Sequence, residues 1–162
     1  DWSTVDVMAN EAIQDINIVA GCLKQWFREL PDPLLTYQLY PAFIEASKIE
    51  NDFLRQVRLH EQVNNLPDAN YATLRFLMAH LDRIRAHESI NQMSAHNLAI
   101  VFGPTLLRSP HEAQMAGAGA AASHGGVGQM YFPDMSLQCK AIETILLKYR
   151  DIFVESDEDD LS

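Results

Sequence analysis

Val19, Cys22, Leu23, Trp26, Phe27 and Leu30 recur at steps of three and four, which predicts an amphipathic helix over about Ile16 to Leu30 with these side chains turned inward. Asp15 is placed to cap it, and Pro31 with Pro33 stops it. Gly21, Lys24, Gln25 and Arg28 then fall on the opposite, wet face. A second helix is expected from Thr36 to Lys48, with Leu39, Tyr40, Phe43 and Ile44 inward and Pro41 disturbing its first turn. A third runs from about Asn51 to Asn65. After the break at Pro67 and Asp68, Leu74, Leu77, Met78, Leu81 and Ile84 mark a long fourth helix from about Asn70 to Arg85. Ser94 can cap a short fifth one, stapled by Met93 and Leu98 and ended by Gly103 and Pro104. Periodicity is lost from Ser109 to Asp134, where Ala116 to Gly128 read as a long low-complexity loop. Ser136 then caps a last helix with Cys139, Ile142, Leu146 and Tyr149 inward. No segment alternates with a period of two between hairpin turns, so the fold class is all-α.

Composition narrows the picture to one domain: 162 residues, 48% hydrophobic and 21% charged, suit a single buried core. The net charge of -10 argues against nucleic acid or a bare anionic membrane as partner. Glu155, Asp157, Glu158, Asp159 and Asp160 crowd a stretch without apolar period, so 154–162 is read as a disordered acidic tail. With no apolar run of membrane-spanning length and no secretory leader pattern, a cytoplasmic chain is expected. Cys22 and Cys139 each fall on a predicted apolar stripe, far apart in sequence, and are read as reduced core thiols.

Candidate chemistry is sparse. His60, His80, His87, His96, His111 and His124 have no metal-ligand spacing, and no nucleophile elbow or Walker-type lysine occurs. Gly117 to Ala122 satisfy a G-x-G-x-x-A string, but within low-complexity sequence and without the strand that a dinucleotide site needs. No metal, no cofactor and no catalytic residue is therefore assigned. Lys24 and Arg28, four apart, set two cations side by side on the wet face of the first helix. They are either an ordinary solvated face beside Glu29, with Arg28 paired inside the domain, or a contact surface for a partner. Asn97, one turn into its helix, is either a neutral surface residue or a donor and acceptor for a partner's backbone.

The segments Leu23-Lys24-Gln25-Trp26-Phe27-Arg28-Glu29-Leu30-Pro31-Asp32-Pro33-Leu34-Leu35 and Asn97-Leu98-Ala99-Ile100-Val101-Phe102-Gly103-Pro104-Thr105-Leu106-Leu107 resemble, in order and separation, the hallmark blocks of the Rho GTPase-activating (RhoGAP) domain. The likeness covers roughly Asp15 to Phe153, so that 1–153 would be one partial RhoGAP domain, a helical bundle without its front helices. It implies a monomeric regulator that binds the GTP-bound form of a Rho/Rac-class small GTPase through Lys24, Arg28 and Asn97, the hydrolytic site being the GTPase's own. The family's catalytic arginine lies in a Gly-x-x-Arg-x-Ser-Gly loop upstream of the first block, and no such string occurs here. The full-length parent would then supply the finger and stimulate hydrolysis, with membrane recruitment left to domains outside this chain; the alternative is a RhoGAP-like interaction module that binds without stimulating hydrolysis.

Overall fold

The computed structural model describes residues 16–111, 114 and 134–153. Among them run α1 (Ile16–Glu29), α2 (Tyr40–Ser47), α3 (Asp52–Asn64), α4 (Asp68–Arg85), α5 (Glu88–Asn91), α6 (Ala95–Leu106), α7 (Met135–Leu147) and α8 (Tyr149–Ile152), with no strand among the described residues. The expected cap at Asp15, most of the 109–134 loop with its Gly117 to Ala122 string, and the 154–162 tail lie outside the described residues.

The α6 and α7 pair forms the most extensive helix contact and the spine of the bundle. Gly103 allows it: a Cβ there would stand 3.0 Å from Cys139 Cα and 3.1 Å from its backbone nitrogen. Phe43 of α2, Leu59 of α3, Leu74 and Met78 of α4, and Ile142 and Ile145 of α7 close completely around this spine. Burying side chains of this size contributes about 1.5–3 kcal/mol each relative to exposure. A buried guanidinium stitches α3 to its surroundings, since Arg55 donates from Nε to Thr144 Oγ1 at 3.1 Å and from Nη1 to the carbonyls of Ile49 at 2.8 Å and Glu50 at 3.1 Å.

Four expectations are corrected. The first concerns α1, whose stripe is core only at its C-terminal end: Phe27 is buried and Leu30 half-buried, whereas Val19, Cys22, Leu23 and Trp26 are exposed, Trp26 at 53%. A stripe becomes core only where another element covers it, and Cys22 is accordingly an exposed thiol rather than a core one. Second, α6 does not end at Gly103 and Pro104. The proline deprives only the Ile100 carbonyl of its donor, while Leu107 N donates to Gly103 O at 3.0 Å and carries the last turn past it. Third, α2 starts at Tyr40 rather than Thr36, because Thr36 has φ 63°, a left-handed conformation that no helix continues. Fourth, α7 begins at Met135 without a Ser136 cap, its first turn closed by Gln138 N donating to Asp134 O at 2.8 Å. The cap at Ser94 agrees with the sequence reading, its Oγ accepting from Asn97 N at 3.1 Å, and half-buried Met93 and buried Leu98 both join the core.

Across the start of α7, Tyr40 OH donates to Asp134 Oδ2 at 2.9 Å and accepts from Gln138 Nε2 at 3.3 Å. Burial first, then the Asp134 carboxylate, push the Tyr40 phenol up to about 12. A phenol raised in the folded state adds stability below its unfolded value near 10, and that contribution is lost as pH rises through the folded value. Tyr40→Phe is expected to cost about 1–2 kcal/mol at neutral pH, a deficit that narrows between roughly pH 10 and 12. Urea midpoints of the two proteins across that range measure it.

Candidate functional site

Lys24 and Arg28 lie one turn apart on α1, Lys24 half-exposed and Arg28 exposed, and among the described residues neither side chain has an ion-pair or hydrogen-bond partner. The nearest carboxylate in sequence, Glu29, instead accepts from Gln25 Nε2 at 2.6 Å. Arg28 is therefore not paired with Glu29. Lys24, Arg28 and Glu29 leave α1 with one excess positive charge in a chain whose net charge is -10. Among the described residues the 12 Lys and Arg balance the 12 Asp and Glu, so α1 carries a small positive excess on a body that is neutral overall.

Asn97 stands in the first turn of α6, the helix on which α1 packs. Its side chain is exposed yet partly committed: Nδ2 donates to Gln92 O at 3.0 Å, steadying a residue held at φ 58°. Its carbonyl oxygen and the second Nδ2 hydrogen are left for a partner. The three predicted residues thus sit on two helices in contact, although no hydrogen bond joins Asn97 to Lys24 or Arg28.

Sequence reasoning gave Arg108 no role on this surface, although it directly follows the second block, because the carbonyls it meets leave no mark in local periodicity. Its Nη1 donates to Arg28 O at 2.8 Å, its Nη2 donates to Leu30 O, and its guanidinium carbon lies 5.8 Å from the Tyr37 ring centroid.

One other surface bears on rival chemistry. A shallow groove between α6 and α7 is lined by His96, Ile100, Met135, Cys139, Lys140 and Glu143, and His96 Nδ1 lies 3.4 Å from Glu143 Oε2. Burial and then the Glu143 charge push the Cys139 thiol up, which disfavours the thiolate a nucleophile requires. Among the described residues no group of three or more His, Cys, Asp or Glu side chains could hold a metal, and no helix is long and apolar enough to cross a membrane.

Comparison with known proteins gives a consistent result. The profile of the RhoGAP domain matches residues 2–111. N-chimaerin of Rattus norvegicus is 52% identical over 116 residues, which cover 72% of this chain and 34% of that protein. The GTPase-activating protein pac-1 of Caenorhabditis elegans is 38% identical over 149 residues, 90% of this chain but 8% of its own length. The chain therefore spans only a minor part of these relatives. Among solved structures, human Rho GTPase activating protein 15 superposes with a TM-score of 0.73 at 36% identity, over 90% of this chain and 62% of that one. The BH domain of GRAF, the GTPase regulator associated with focal adhesion kinase, does so with a TM-score of 0.70 at 34% identity, over 86% and 66% respectively.

Proposed function

This chain belongs to the RhoGAP domain family, and from that premise we propose that it binds the GTP-bound form of a Rho/Rac-class small GTPase through Lys24, Arg28 and Asn97. Family members are GTPase activators, regulators whose chemistry takes place in the partner's nucleotide site. The observation that carries the reading is the pair of cations on α1 without partners among the described residues, on a helix packed against the one that bears Asn97. In this reading 1–153 acts as one unit and as a monomer, and the cytoplasm is where it meets its partner.

An activator accelerates phosphoryl transfer by ordering the partner's switch loops and by inserting a guanidinium that neutralises charge developing in the transition state. In this reading the switch-ordering surface is assigned to this chain, and the guanidinium to none of its residues. The alternative is a RhoGAP-like interaction module that binds GTPases without stimulating hydrolysis.

Both readings are tested with a panel of Rho/Rac-class GTPases loaded with GDP or with a non-hydrolysable GTP analogue. The expected result is binding that prefers the analogue, reduced severalfold by Asn97→Ala. Equal affinity for both nucleotide states would refute the proposal. Single-turnover hydrolysis then separates the readings: an activator accelerates the bound GTPase's turnover, up to the ~10⁵-fold of a complete Ras activator, and an interaction module leaves it unchanged.

A further inference from the structure

We propose that Arg108 is a positioning residue for the GTPase-facing surface, a clamp that sets the C-terminal half of α1 in register with α6. The inference rests on the reading of Lys24 and Arg28 as contact residues. An α-helix leaves its last carbonyls without internal partners, and a cation there is favoured by the helix dipole as well. At the end of α1 the donor comes from 80 residues away: Arg108 Nη1 donates to Arg28 O at 2.8 Å, and Nη2 to Leu30 O. Its Nε is buried without a hydrogen-bond partner among the described residues, a desolvation cost that those two charge-assisted bonds offset.

The same guanidinium faces the Tyr37 ring, and Tyr37 N donates to Asp32 Oδ1 at 2.8 Å, so the turn containing Pro31, Asp32 and Pro33 is held from the same point. Two residues before the clamp, α6 ends as Leu106 O accepts from Leu35 N at 3.1 Å. Arg108 thus gathers the last carbonyls of α1, the turn after it and the end of α6. Any tilt of α1 about this point would move Lys24 and Arg28 relative to Asn97, which is fixed to α6. A lysine keeps the charge but, as a point donor, lacks the planar fork that reaches two carbonyls in fixed directions.

The test is a double-mutant cycle on the full chain, read as affinity for an analogue-loaded Rho/Rac-class GTPase, with Arg108→Lys, Lys24→Ala and their combination. Arg108→Lys is expected to weaken binding roughly threefold to tenfold, and to add much less on top of Lys24→Ala than it does alone, because both act through α1. Hydrogen exchange of the amides near the end of α1 should rise in Arg108→Lys. Leu59→Ala, which opens a cavity under α3, a helix without extensive contact to α1 or α6, should leave the affinity unchanged and so separates positioning from general destabilisation. An unchanged affinity in Arg108→Lys, or strict additivity with Lys24→Ala, would overturn the clamp while Lys24→Ala still weakens binding. Loss of the Lys24→Ala effect itself would instead overturn the contact reading, and the clamp with it.

Discussion

Gly103→Val should be among the most destabilising single substitutions in the bundle, lowering stability by about 3 kcal/mol. Two opposing effects meet at this position. Adding a side chain to a helical glycine gains up to about 1 kcal/mol in helix propensity for alanine, less for a β-branched residue. Against that, the new Cβ would stand 3.0 Å from Cys139 Cα and 3.2 Å from the Gln138 carbonyl carbon, and these are backbone atoms of α7 that cannot rotate away. Overpacking costs typically 1–3 kcal/mol, and two further methyl groups push it to the upper end. The contact between α6 and α7 is also the most extensive in the bundle, so the strain cannot be confined to a rim. Alanine should show the balance, with a net loss of about 1–2 kcal/mol. For a chain of this size the valine variant should melt roughly 6–12 °C lower. A valine variant within a degree or two of the unaltered protein would mean that the helices part without cost.

Lys24→Glu combined with Arg28→Glu should weaken binding to an analogue-loaded Rho/Rac-class GTPase on the order of 100-fold, since like charges set against each other across an interface cost several kcal/mol. The folded chain itself should hardly respond. Among the described residues neither cation has a partner to lose, and surface changes of this kind usually fall within about 0.5 kcal/mol. Salt provides an internal control: the unaltered chain's affinity should fall as ionic strength rises, and that dependence should flatten or reverse in the double variant. Calorimetric titration at low and physiological salt reads both quantities. A double variant that binds as tightly as the unaltered chain would place the contact surface elsewhere.

Some features were legible residue by residue. The periods of three and four marked the helices from α1 to α4 within a few residues, and Ser94 announced the start of α6 because a cap acts over one turn of chain. The two blocks that identify the family were legible for a related reason: each is contiguous. Boundaries set by unusual backbone were not. Thr36 carries no mark of a left-handed φ, and Pro104 reads as a stop although α6 passes through it.

What covers what lay further out of reach. Val19, Leu23 and Trp26 share one stripe with Phe27, but periodicity records which face is apolar and not whether another helix lies over it. The commitment of Asn97 to Gln92 involves residues only five apart, within the reach of a local reading. The bonds from Arg108 to the carbonyls at the end of α1 span about eighty residues and lie outside it, because an orphan carbonyl has no signature in the side-chain pattern. Helix content, the family blocks and the identity of the cationic face are local properties, encoded by neighbours along the chain and hence readable from it. Which apolar face is buried, how closely α6 and α7 approach at Gly103, and how α1 is pinned to α6 are settled by atoms far apart in sequence, so they exist only once the chain has closed on itself.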